Sequence, residues 1–175
     1  MKLNIKQNKT KCFLRYWLPV LIWATVIFSL SSQPYQKQDL RPLIEKHIDQ
    51  EQIHEKLQNI AVPYAGKEVS VQTVGVSGFI EFFIRKGAHL TEYFILGFLI
   101  FRALHYTWLK QITTTIASIL LTSLYAASDE YHQVFTANRS PHVEDVILDS
   151  TGGLIGIIAA FVFYAWMKNV SIKMN

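Results

Sequence analysis

The chain has 175 residues, half of them apolar, and only 17% charged against the roughly 25% of an ordinary soluble domain. Its 11 Phe, 8 Tyr and 4 Trp exclude a disordered chain, and the lone Cys12 excludes a disulfide framework and a cysteine-rich zinc site. The net charge of +4 hides an uneven distribution: all 13 acids fall between Asp39 and Asp149, while Lys2, Lys6, Lys9, Lys11, Arg15, Arg102, Lys110, Lys168 and Lys173 occupy three acid-free segments. A nucleic-acid binder would gather its cations into a patch on a soluble fold. Here bases separated by apolar stretches follow the positive-inside pattern, and no nucleic-acid partner is expected.

A hydrocarbon core of about 30 Å is crossed by about 20 helical residues. The first candidate is Phe13 to Leu30, interrupted only by Arg15, Pro19 and Thr25. Its basic start and the small residues Ser29 and Ser31 also suit a cleavable signal peptide. The apolar run is longer than such peptides use, and Trp17, Pro19 and Trp23 argue against cleavage. The segment that follows is long for a loop. Asp39 can cap a helix with Pro42 in its first turn. Leu40, Leu43, Ile44 and Ile48 recur at helical spacing, and Ile53, Leu57, Ile60 and Ala61 continue it with a slight phase shift. This predicts an amphipathic surface helix stopped by Pro63 and Gly66. The alternation of Val69, Val71, Val74 and Val76 is too partial to predict a strand, and Ser77 to Phe83 should enter the second span as continuous helix.

Ala88 to Trp108 is apolar but carries His89, Glu92, Arg102 and His105. Ile112 to Ser128 has no charge, and Val146 to Met167 has only Asp149. The expected fold is therefore an all-α polytopic membrane protein in a single domain over 1–175. Four transmembrane helices lie at about 13–32, 87–108, 111–128 and 145–167, with an extracytoplasmic segment at 33–86 between the first two. Four spans bring both termini and the Arg102–Lys110 turn to one side, the basic one, which places them in the cytoplasm of a multi-pass protein of the cell membrane. Trp17, Tyr106, Trp108, Tyr164 and Trp166 fall near the cytoplasmic ends, as interfacial aromatic belts do.

The polar residues of the spans gather at the opposite ends. Lys86, His89 and Tyr93 are three and four residues apart and share a helix face that Glu92 joins. The third span ends in Asp129-Glu130-Tyr131-His132-Gln133, and the turn beyond it holds Arg139. The fourth opens with Glu144-Asp145 and places Asp149 one turn on, continued on the same face by Gly152, Gly153 and Gly156; the G-x-x-x-G of Gly152 and Gly156 lets another helix approach closely. Bland readings exist: Arg85 and Lys86 as snorkelling end residues, Glu130 and Glu144 as water-facing charges, Asp129, His132 and Asp149 as a self-satisfying network. Yet each ionisable group inside a span costs roughly 2.5–3.5 kcal/mol, which makes function the default reading of so many at one depth. The candidates are Lys86, His89, Glu92, Tyr93, Asp129, Glu130, His132, Gln133, Arg139, Asp145 and Asp149. Neither a metalloenzyme spacing such as H-E-x-x-H nor a G-x-S-x-G nucleophile accompanies them, so no metal, cofactor or catalytic residue is assigned.

Together these residues resemble the VanZ-like family of small bacterial integral membrane proteins. The resemblance rests on Trp17-Leu18-Pro19 and Ile27-Phe28-Ser29-Leu30-Ser31-Ser32-Gln33, and on the Lys86-x-x-His89-x-x-x-Tyr93-x-x-x-Gly97 face. It rests also on Asp129-Glu130-x-His132-Gln133-x-Phe135, Arg139, Asp145, Asp149 and Gly153. It implies a topology and a phenotype class, teicoplanin resistance, rather than a reaction. Two functions are expected from these readings. One is recognition of a lipid-linked cell-wall precursor or glycopeptide at the extracytoplasmic interface, with the lipid bilayer as constant partner. The other is an intramembrane hydrolase or transferase using a His/Asp constellation. The basic segments generate a topological prediction: a reporter fused after Asn175 should be active in the cytoplasm, and one inserted at Gly66 active outside.

Overall fold

The computed structural model describes residues 2–106, 109–135 and 141–173. Among the described residues, three helices are long and apolar enough to cross a membrane. They are α1 (Lys2–Ser31), apolar over Phe13–Ser31; α4 (Val71–His105); and α6 (Val143–Lys173), apolar over Val143–Val170. Between α1 and α4 come a short 3-10 turn at Tyr35–Lys37, α2 (Arg41–His47), α3 (Gln50–Leu57) and the strands β1 (Ala61–Tyr64) and β2 (Lys67–Ser70). Helix α5 (Gln111–Gln133) joins α4 to α6.

The intervening segment departs from the single amphipathic helix expected of it. Asp49 interrupts it, its carboxylate accepting from the backbone of Glu51 and Gln52 at 3.1 and 3.2 Å as the N-cap of α3. The phase shift in the apolar spacing is the imprint of that break. Pro63 does not end a helix but sits in β1 opposite Glu68, in an antiparallel hairpin with Tyr64 opposite Lys67. Proline is tolerated there because both strands of a two-stranded ribbon are edges. Ala65 and Gly66 turn the hairpin with positive φ of 51° and 71°; a primed turn built on Ala-Gly lacks the usual Asn-Gly signal. Val71, Val76 and Phe79 of α4 form a small core with Ile53, Leu57, Val69 and Ile80, and Ile44 of α2 is buried as well.

Helix α4 starts earlier than the expected span, running back past Ser77 across a kink at Gly75, whose φ of 74° suits glycine. From the kink onward the helix runs unbroken over residues 76–105, about 45 Å, well beyond a hydrocarbon core of about 30 Å. The surplus at its start carries α2, α3 and the hairpin.

The bundle interior is apolar where α1, α4 and α6 meet, around Ile27, Leu96, Ile100, Phe101 and Ile157, but α5 is polar inside and apolar outside, the reverse of a helix in a soluble bundle. In α5, Thr114, Ser118, Thr122 and Ala126 are buried, while Ile112, Ile116, Leu120 and Leu124 are exposed. The Ser118 and Thr122 hydroxyls donate to the carbonyls of Thr114 and Ser118 at 2.7 and 2.8 Å, so the buried oxygens are satisfied within the helix. At one end of the bundle Tyr16 stacks on Tyr106 with ring centroids 4.1 Å apart, His105 stacks on Tyr164 at 4.7 Å, and the Arg102 guanidinium lies 5.4 Å from the Tyr16 ring. The same end therefore holds the start of the apolar part of α1, the end of α4 and the second half of α6. Trp108, expected in this belt, lies outside the described residues.

Helices α4 and α6 meet backbone to backbone. A Cβ on Gly97 would overlap the Gly153 carbonyl, one on Gly152 the Leu90 carbonyl, and one on Gly156 the Phe94 carbonyl; one on Gly153 would overlap the Thr122 side chain of α5. The G-x-x-x-G face thus receives α4 within the same chain. Gly156→Ala should cost about 1–3 kcal/mol by forcing the helices apart. Gly87→Ala, where nothing lies within 4 Å, should be neutral or stabilising. Thermal unfolding in detergent of the two variants beside the parent checks the contrast.

Candidate functional site

The other end of the bundle carries the charges, and the glycine contact decides which ones meet. With α4 and α6 in register at Gly152 and Gly156, the preceding turns set Lys86 and His89 against Asp145 and Asp149. The Lys86 ammonium pairs with the Asp145 carboxylate, which also accepts from the Tyr64 hydroxyl of the hairpin. The ammonium lies 4.4 Å from the Tyr64 ring centroid and 5.6 Å from that of Phe82. His89 Nδ1 faces Asp149 Oδ1 at 3.4 Å, close enough to pair but not aligned as a hydrogen bond, and Asp149 is only 1% exposed.

Asp129, near the end of α5, is 3% exposed and accepts from the Ser31 hydroxyl at 2.8 Å; the Gln133 amide donates to the same hydroxyl at 2.9 Å. Tyr93 is fully buried, its hydroxyl has no hydrogen-bond partner among the described residues, and both Asp129 and Asp149 lie within its electrostatic reach. Glu130 is buried rather than water-facing, because its carboxylate accepts the His142 backbone N–H ahead of α6; Glu144 is exposed. His132 turns toward α1, 3.1 Å from the Ser32 hydroxyl and with its ring 4.5 Å from that of Phe28. Glu92 is half-buried, and its carbonyl accepts from the Trp23 indole at 2.8 Å. Arg139 lies outside the described residues.

Two groups of contacts result. Lys86, His89, Asp145 and Asp149 join α4 to α6, and Asp129, Gln133 and Ser31 join α5 to α1; Tyr93 borders both. Among the described residues no three His, Cys, Asp or Glu side chains are arranged to hold a metal ion. The first group opens into a cleft of about 660 Å³ beneath the hairpin, lined among others by Tyr35, Arg41, Tyr64, Glu81, Arg85 and His142.

Several of these residues carried no signal in the sequence. Glu81 is 3% exposed; it accepts from the Tyr35 hydroxyl at 2.8 Å and the Leu40 backbone at 3.3 Å, with Arg41 at 3.7 Å. Its one clue is position: a lone acid inside Gly78-Phe79-Ile80-Glu81-Phe82-Phe83, where an unpaired charge would be costly. Tyr64 meets Asp145 across 81 positions, which no local pattern foretells. Burial, with help from the Glu81 carboxylate, raises the Tyr35 pKa, and burial followed by Asp145 raises that of Tyr64, so both phenols remain donors. At the exposed rim Arg41 grips Asp39 through two hydrogen bonds of 2.9 and 2.6 Å, which hold the Asp39 pKa at about 2.

Apolar helices with a charged cluster buried where they converge define a helical membrane protein. The chain belongs to the VanZ/LLP1 family, whose model matches residues 16–164. No curated protein and no solved structure matches it.

The pairing of Lys86 with Asp145 is testable on its own. Lys86→Met should cost about 3 kcal/mol by leaving Asp145 partly buried without its cation, and adding Asp145→Leu should restore part of the loss. A double-mutant cycle on unfolding in detergent should return a coupling of about 1–3 kcal/mol.

Proposed function

We propose that the protein is a four-span envelope protein with both termini in the cytoplasm, whose buried charged cluster recognises a polar lipid, a lipid-linked cell-wall precursor or a glycopeptide at the extracytoplasmic surface. The observation that carries this reading is the cleft under the hairpin, into which the Lys86, His89 and Asp145 side chains open. Charges held this way are expensive in a membrane, and a ligand that contacts them offsets the cost. The exposed Ile112, Ile116, Leu120 and Leu124 stripe on α5 supports a fourth crossing, since it presents apolar side chains where lipid would lie. The acid-free basic segments at the opposite end support the orientation. A role in resistance to teicoplanin-type glycopeptides is part of this proposal and rests on the resemblance to the family alone.

A second reading has one observation in its favour. His89 beside the buried Asp149 is the arrangement of a general base held by a carboxylate, as an intramembrane hydrolase or transferase would use. Expression in a susceptible host separates the readings. Raised levels should lower susceptibility to teicoplanin-like drugs more than to vancomycin-like ones. Asp149→Asn should weaken that protection only in part if the site binds, and abolish it if the site turns over a substrate, because removing a base costs about 10²–10⁴-fold in rate. Unchanged inhibitory concentrations for both drug classes would overturn the resistance role.

A further inference from the structure

The cleft holds more cation than anion. Arg41, Lys67, Arg85 and Lys86 line it against Glu81 and Asp145. Both carboxylates are already engaged, Glu81 by Tyr35, Leu40 and Arg41, and Asp145 by Lys86 and Tyr64. Among the described residues no carboxylate lies within 4 Å of Arg85 or Lys67. The Arg85 guanidinium instead lies over the Tyr35 ring, 4.8 Å from its centroid. A guanidinium resting on a ring face keeps its N–H edge free for a planar or tetrahedral oxyanion.

A second, smaller crevice of about 270 Å³ runs along the neighbouring flank of α4. Leu30 from the end of α1, Leu40, Ile84 and Ala88 give it an apolar lining, and Leu30, Ile84 and Ala88 are exposed. Arg85 and His89 line both spaces. One side of Arg85 therefore faces a cation-rich polar cleft, and the other an open, mainly apolar crevice that Ser31, Gln38 and Glu92 also border.

We infer that the two spaces together bind one amphiphile bearing a phosphate group. The phosphate sits in the larger cleft against Arg85 with Lys67 as second cation, and the apolar chain lies along Leu30, Ile84 and Ala88. With Arg41 held by Asp39 and Glu81, and Lys86 by Asp145, Arg85 and Lys67 remain as two cleft cations with no carboxylate within 4 Å among the described residues, which suits a phosphomonoester or pyrophosphate and not a zwitterionic headgroup. The inference rests on the recognition reading above and narrows its ligand class.

The test uses the full chain in uncharged maltoside micelles, titrated calorimetrically with short-chain phosphatidic acid, with phosphatidylcholine of the same chains, and with inorganic pyrophosphate. Phosphatidic acid should bind at least about tenfold more tightly than either of the others. Arg85→Gln should weaken it about tenfold or more, and Arg85→Lys, which keeps the charge but loses the stacked guanidinium fork, by a smaller factor than Arg85→Gln. Ala88→Phe, which fills the crevice, should weaken phosphatidic acid and leave pyrophosphate unchanged. Equal binding of the choline lipid overturns the phosphate assignment, and equal binding of pyrophosphate overturns the amphiphile. An unaltered affinity in Arg85→Gln overturns the role of Arg85. Lys67→Gln, on the exposed hairpin, decides the electrostatic point if Arg85→Gln fails to fold: a loss of about threefold is expected, and no loss overturns it. A chain that protects cells without this lipid preference defeats the inference alone. One that shows the preference without protecting cells defeats the resistance role alone.

Discussion

Direct backbone contact between α4 and α6 is the constraint on which the rest of the structure depends. Gly97, Gly152 and Gly156 remove the side chains that would otherwise separate the two helices, and Gly153 makes room for Thr122 of α5. In lipid no hydrophobic driving force pushes helices together, so close van der Waals approach supplies the association. The same approach places the opening turns of α6 beside the middle of α4. Lys86 then meets Asp145, and His89 meets Asp149, without any loop having to position them.

The second constraint is the reversed polarity of α5. Lipid accepts Ile116, Leu120 and Leu124 on the outside of α5, so the interior of that helix is left to Thr114, Ser118, Thr122 and Asp129. Each of these must find a partner. The Ser118 and Thr122 hydroxyls bond back to their own helix, whereas Asp129 reaches across to Ser31 of α1. The carboxylate thereby ties the end of the first helix to the end of the fifth, and Gln133 shares the same serine. Ordinary membrane packing energetics and the grouping of polar residues are two sides of one arrangement.

The extra length of α4 explains the third feature. The unbroken helix from Val76 to His105, about 45 Å long, projects past a hydrocarbon core of about 30 Å. Its projecting turns offer Val76 and Phe79 as a small core on which α3 and the hairpin settle. Glu81 anchors the chain that leaves α1 through Tyr35 and Leu40, and Tyr64 carries the hairpin onto Asp145. The cleft exists because the projecting helix is roofed on one side and charged beneath.

The sequence by itself determined the helical membrane character, the family, and the shared helix face of Lys86, His89 and Tyr93; of the four spans expected from it, three are apolar and long enough in the described residues. These follow from composition and from periodicities of three and four residues, which are local. It also marked the break at Asp49 through a phase shift, although a single helix was the simpler reading. Only the tertiary structure decided that Gly152 and Gly156 serve α4, that Glu130 is buried on the His142 backbone, and that His132 turns to α1. It alone revealed Glu81 and Tyr64 as parts of the cleft, because their partners lie 41 to 81 positions away. Which face of a helix meets which neighbour depends on the fit of whole surfaces, and that information is spread over the chain rather than held at any one spacing.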